Sequence, residues 1–237
     1  MKIENIYLAH FKHEMYQNYE NYFCDLLDGL GVDIVDELLS EMSASGGPLT
    51  SGDHIKQRHL DMTERDMVDL ALKTGQVQGI FAAGYDNSMN HDDFKEVVYS
   101  ALWELENKIA KEFVDGTKPF SKELVYDAKE FIGYGIDKDF NLVKSEVINI
   151  CFGLSDDPFS KLGIKIETAY PSFHGKNEII KSLDALKKEY NIDEKQLQRF
   201  KSMQKFREDI KTQKQGMKDK KIQNREDRSI KEMFQGR

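Results

Sequence analysis

HDDFKEVVYSALWELENKIAKEFVDGTKPFSKELVYDA, residues 91–128, holds the change of period on which the fold turns. Phe94, Val97, Val98, Ala101, Leu102, Leu105 and Ile109 recur at three- and four-residue steps, which predicts an amphipathic helix. After TKPFS the spacing shortens. ELVYDA, EFIGYGID, NLVKSEVINICFG and LGIKIETAYPS are short runs rich in β-branched and aromatic residues, which predicts strands. IDKDFN reads as a hairpin turn and LSDDPFSK as a longer one, because Asp favours turns through its own hydrogen bonds.

Upstream of this stretch the pattern is helical. Phe23, Leu26, Leu27 and Leu30, then Ile34, Val35, Leu38 and Leu39, predict one or two helices broken near Gly29 to Gly31. SASGGPLTSGD reads as loop. DMTERDMVDLALKTG has Thr63 as an N-cap with Asp66 three residues later, and Gly75 ends it. VQGIFAAG is a strand candidate. Downstream, the chain from Glu178 reads as helical again, with Leu197, Phe200, Met203, Phe206 and Ile210 forming one stripe. The expected class is α+β: N-terminal helices packed on a late antiparallel sheet, with a C-terminal helical extension. The expected boundaries are a body over 1–178, the extension over 179–214 and a basic, flexible tail over 215–237.

Composition narrows the function classes. With 39% hydrophobic and 32% charged residues and four prolines, the chain reads as globular rather than fibrous or low-complexity. No run of about 18 apolar residues occurs, so no membrane partner is expected. The N-terminus lacks an apolar core and a small-residue cleavage site, so the expected location is the cytoplasm. Cys24 and Cys151 are too few for a disulfide framework and read as buried thiols. From Lys181 to Arg237 there are 17 basic against 10 acidic residues, whereas the whole chain carries -8. An acidic body with a basic tail suits either a nucleic-acid partner or a solvated helix of mixed charge.

The chemistry-bearing segment is SGDHIKQRHL, residues 51–60, just before the Thr63 helix. His54 and His59 are five apart, an offset that turns side chains by about 140° on an α-helix and to opposite faces on a strand. With no HExxH or CxxC nearby, that spacing argues against a metal site. His54 and Arg58, at i and i+4, would share a face if the segment is helical, which suits phosphate binding beside a proton carrier. A polar loop is the competing reading. Asp92, Asp93, Asp156 and Asp157 sit in turn-like segments. His10, His13 and His91 have no neighbours that single them out. No GxGxxG, GxxxxGK[ST] or GxSxG occurs, so dinucleotide, P-loop and α/β-hydrolase chemistry lacks its signatures, and no cofactor is expected.

IKIETAYPS, residues 164–172, is the expected opposite wall. With period 2, Thr168 and Tyr170 share one face of a strand while Lys165 and Glu167 share the other. A hydroxyl and a phenol side by side suit a phosphate and a base.

In order along residues 50–175, HIKQRH running into a helix and a terminal IETAYP strand resemble the barnase, EndoU, colicin and RelE superfamily of small ribonucleases. The resemblance implies a metal-independent endoribonuclease of bacterial toxin or phage type, acting on RNA by 2′-hydroxyl attack. It implies His54 or His59 as general base or acid, Thr168 and Tyr170 as the far wall of the site, and Arg58 with Lys165 as substrate contacts. The alternative is a non-enzymatic interaction protein, a phage, secretion or toxin-neutralising component that docks a protein partner through Leu197, Phe200, Met203, Phe206 and Ile210.

Overall fold

The computed structural model describes residues 3–41, 49–84, 87–115, 121–173, 177–210 and 212–213; the expected tail over 215–237 lies outside them. The chain is α+β, as its periodicities predict. Helix α1 (Ile3–Leu30) ends where Gly31 takes a φ of +56°, a left-handed conformation that costs glycine nothing, and α2 (Asp33–Leu39) follows. Next come α3 (Ser51–Ile55), a π-turn (Lys56–Leu60) and α4 (Glu64–Thr74). Residues 51–53, the end of the expected loop, are thus helical with 54 and 55, because the Thr50 hydroxyl accepts the Asp53 backbone N–H and caps them. Helix α4 carries the predicted capping box between Thr63 and Asp66, and Gly75 closes it in the left-handed conformation.

Strands β1 (Gln78–Gly84) and β2 (Asn87–Ser88) precede α5 (His91–Asp115). Strands β3 (Ser121–Asp127), β4 (Gly133–Ile136), β5 (Leu142–Ser145), β6 (Val147–Leu154), β7 (Ile164–Ser172) and β8 (Ile179–Lys181) follow. The single late sheet expected from sequence is two antiparallel sheets, ordered β2-β1-β4-β5-β8 and β3-β6-β7. The early strand β1 crosses into the first by pairing with β4, Ile80 opposite Tyr134.

Each sheet has its own core. Helices α1, α2 and α5 pack Phe23, Leu27, Ile34, Phe94 and Leu102 against Ile148, Ile150, Phe152 and Ile166 of the three-stranded sheet. On the five-stranded sheet, Met67 and Val68 of α4 and Leu186 of α6 (Leu183–Tyr190) close over Ile136, Phe140 and Leu142. Leu197 and Phe200, on a helix over 194–210, belong to this second core. The two sheets meet where the chain passes from β5 to β6. There the buried Ser145 hydroxyl donates to the carbonyls of Val147 and Ser172.

Two expectations about the C-terminal part change accordingly. The chain from 179 begins with a strand hydrogen-bonded to β5, so residues 179–210 are woven into the first sheet and its core. The apolar stripe is divided: Leu197 and Phe200 are buried, whereas Phe206 is 64% exposed. Helical periodicity shows that a face is apolar but not whether the chain itself already covers it.

Candidate active site

The π-turn overturns the geometric objection to the histidine pair. Asp61 donates its backbone N–H to the Lys56 carbonyl five residues back at 2.8 Å, so residues five apart come onto one face. The His54 and His59 rings lie edge to face, with centroids 6.3 Å apart. Offset five is divergent on an α-helix and convergent across one wide turn.

His59 sits at the seam of the two sheets. Its Nδ1 is 2.7 Å from the carbonyl oxygen of Gly79 on β1, and since a carbonyl only accepts, Nδ1 carries the proton and Nε2 the lone pair. Gly79 is needed at this seam, because a Cβ there would lie 2.8 Å from the Phe173 ring and 3.1 Å from the Pro171 carbonyl oxygen. On its other side the His59 ring lies 5.9 Å, centroid to centroid, from the Tyr170 ring on β7. The segments 54–59 and 168–170, distant in sequence, therefore share one cleft of about 1140 Å³, lined by His54, Arg58, His59, Asn149, Thr168 and Tyr170. The β4–β5 turn, through Asp137, Lys138 and Asp139, lines it further out.

No family model matches this chain, and no curated protein matches it. A solved structure similar to half of it is the "Crystal structure of CdiA-CT/CdiI complex from Y. kristensenii 33638", 22% identical, with 51% of this chain and 99% of that chain covered at a TM-score of 0.41. A likeness that loose carries no weight for the chemistry, which rests on the geometry of the cleft.

Burial pushes the His59 imidazole down to about 4; its bond to Gly79 opposes this, and His54 and Arg58 reinforce it by repelling a positive ring. His59 is thus neutral near pH 7 with a fixed tautomer, the state of a general base. His54 is lowered too, by burial and then by the Arg58 guanidinium. Arg58 is exposed at the cleft, and among the described residues no carboxylate neutralises it. Burial raises the Cys151 thiol to about 11, which keeps it protonated and removes it as a nucleophile.

Strand β7 corrects a second reading. Cys151 pairs with Thr168 but Phe152 pairs with Ile166, so Glu167 is an extra residue in a β-bulge. The bulge shifts the alternation by one: Ile164 and Ile166 face the core before it, Ala169 after it. Lys165 consequently shares the outer sheet face with Thr168 and Tyr170 instead of opposing them. It does not join the cleft. Its ammonium lies 2.9 Å from Asp156, 3.5 Å from Glu167 and 3.9 Å from Glu41, which places it in a structural ion cluster and not among the substrate contacts.

Two polar atoms of this wall have no partner: Thr168 Oγ1 and Asn149 Oδ1 are both buried without a hydrogen bond. Asn149 and Glu123 were missed in the sequence. Glu123 on β3 accepts from the Tyr170 hydroxyl at 2.5 Å and from the Asn149 amide, and both contacts depend on strand register. His91, by contrast, lies 3.4 Å from Asp36 and away from the cleft. The side chains of His10 and His13 lie outside the described residues. Among the described residues no group of three His, Cys, Asp or Glu side chains is placed to hold a metal ion, and no helix is long and apolar enough to cross a membrane.

Proposed function

We propose that this chain is a metal-independent endoribonuclease, of the toxin or phage type that its sequence resemblance implies. The observation that carries the reading is His59: a neutral imidazole, held by Gly79 with its lone pair on Nε2, across a cleft wall from Thr168 and Tyr170. In the mechanism His59 Nε2 removes the proton of an RNA 2′-hydroxyl, and that oxygen attacks the adjacent phosphorus. Arg58 and the Thr168 hydroxyl stabilise the charge that builds on the phosphorane oxygens. The P–O5′ bond breaks, leaving a cyclic phosphate. His54, whose proton affinity rises beside the bound phosphate, protonates the departing 5′-oxygen. The Tyr170 ring supplies a stacking surface. Its phenol is held far above the ordinary range, by burial and then by its bond to Glu123, and so stays protonated.

The direct test is incubation of purified protein with an RNA and the DNA of the same sequence in EDTA. RNA should be cut and DNA, lacking the 2′-hydroxyl, should survive. Intact RNA would return the chain to the interaction-protein reading.

The pH profile follows from the two histidines. A base must be unprotonated, so kcat/KM should rise through the His59 value near 4 and not through the ordinary 6.5. The acid must be protonated, and because His54 is lowered from 6.5, the alkaline limb should begin below that value. The optimum should lie on the acid side of pH 6.5, and a maximum above pH 7 would contradict these roles.

Thr168→Val separates chemistry from folding. A buried hydroxyl without a partner destabilises the fold, so its replacement by an isosteric methyl should leave the melting temperature unchanged or raise it. If that hydroxyl serves the phosphorane, kcat for RNA should still fall by about tenfold. Parental turnover in a folded variant would remove Thr168 from the site.

A further inference from the structure

We propose that Glu123 is a positioning residue for the cleft, and that the wall it organises takes a hydrogen-bond donor from the nucleobase of a bound nucleotide. Glu123, Asn149 and Tyr170 stand on three neighbouring strands of one sheet face, with Asn149 directly opposite Tyr170 in the β6–β7 register and one residue from Ile150, the partner of Leu124 on β3. The Glu123 carboxylate accepts from the Tyr170 hydroxyl and from the Asn149 side-chain amide. A carboxylate cannot donate, so these two bonds settle two orientations at once. The Tyr170 proton points toward Glu123 and is withheld from the cleft. The Asn149 amide must present Nδ2 to Glu123, which turns Oδ1 the other way.

That Oδ1 is the anomaly. Asn149 is 2% exposed, its Oδ1 has no partner, and the residue lines the cleft. An unmet acceptor in such a place is destabilising, and a ligand N–H would relieve it. Because Oδ1 has almost no contact with solvent, a donor that reaches it displaces a lining side chain rather than water. The bond would then form in a dry site, where it is strong. The Tyr170 ring beside Asn149 offers the π-face on which a base stacks while its edge is read. This assignment rests on the ribonuclease reading, but it concerns recognition and not the bond-breaking step.

Glu123→Met tests it, because the side chain keeps its length and has no oxygen to accept from either Tyr170 or Asn149, whose bonds both end on Glu123 Oε1. The probes are the four ribonucleoside 3′-monophosphates and, as a base-free control, ribose 5-phosphate, titrated calorimetrically with the parent and the variant. The parent should bind its preferred nucleotide at least tenfold more tightly than ribose 5-phosphate. In the variant that margin should fall about tenfold, with ribose 5-phosphate affinity within twofold of the parent and an unchanged melting temperature. A margin that survives the substitution overturns the role of Glu123, and so does an equal loss for nucleotide and control. If the variant does not fold, Asn149→Leu, which removes the acceptor at similar volume, must lose the same margin or the assignment fails. A parent that binds neither nucleotide nor ribose phosphate overturns the ribonuclease reading itself, an outcome distinct from binding without a base margin.

Discussion

His59→Asn is expected to lower RNA cleavage by at least about a hundredfold, the usual scale for losing a general acid or base, while the protein stays folded. Asparagine is the informative replacement. Its Nδ2 stands near the position of imidazole Nδ1 and can still donate to the Gly79 carbonyl, so the tie between the π-turn and β1 is kept. What disappears is the ring nitrogen with the free lone pair. A variant with the parental melting temperature and without cleavage places the base at His59. If it cuts RNA within a fewfold of the parent in EDTA, the proton is taken by another group and the proposed mechanism falls.

Phe200→Ala is the substitution with the largest expected effect on stability, about 3–5 kcal/mol in urea unfolding. Phe200 is fully buried, and its ring meets Phe140 edge to face with centroids 4.8 Å apart. Around it, Arg207 donates to the Thr74 carbonyl, and Gly75 lies so close to Met203 that a Cβ there would be 2.5 Å from the Met203 Cβ. Phe206→Ala, at an exposed position of the same stripe, should change stability by no more than about 0.5 kcal/mol. Equal, small effects at both positions would mean that the helix over 194–210 is an accessory to the body.

These two residues also show how far apolar spacing specifies burial. Phe200 and Phe206 belong to one apolar run, but six residues turn an α-helix by about 120° net, so successive three-residue steps carry Phe206 off the face that Phe200 buries. His59 was legible as a histidine before a helix, and TAYP as the end of a strand, but their meeting was an expectation drawn from resemblance. Lys165 was misassigned because one inserted residue, Glu167, shifts the alternation along β7. Glu123 and Asn149 gave no signal at all, since a lone Glu and a lone Asn in strands have many uses.

By itself the sequence determined what depends on near neighbours: the amphipathic period of α5, the Thr63–Asp66 capping box, the stop at Gly75, and the hairpin turn from Asp137 to Asn141. Each is settled by bonds or packing within a few turns, where residue type and spacing suffice. Only the tertiary structure decided that His54 and His59 converge, that Gly79 holds the His59 tautomer, that the β7 bulge moves Lys165 to the outer face, and that Glu123 ties Tyr170 to Asn149. The His59 and Tyr170 bonds rest on partners 20 and 47 residues away. The place of Lys165 rests on strand register, where the shift of one residue exchanges every inward side chain for an outward one. The meeting of the histidines rests on a π-turn that their spacing alone does not announce.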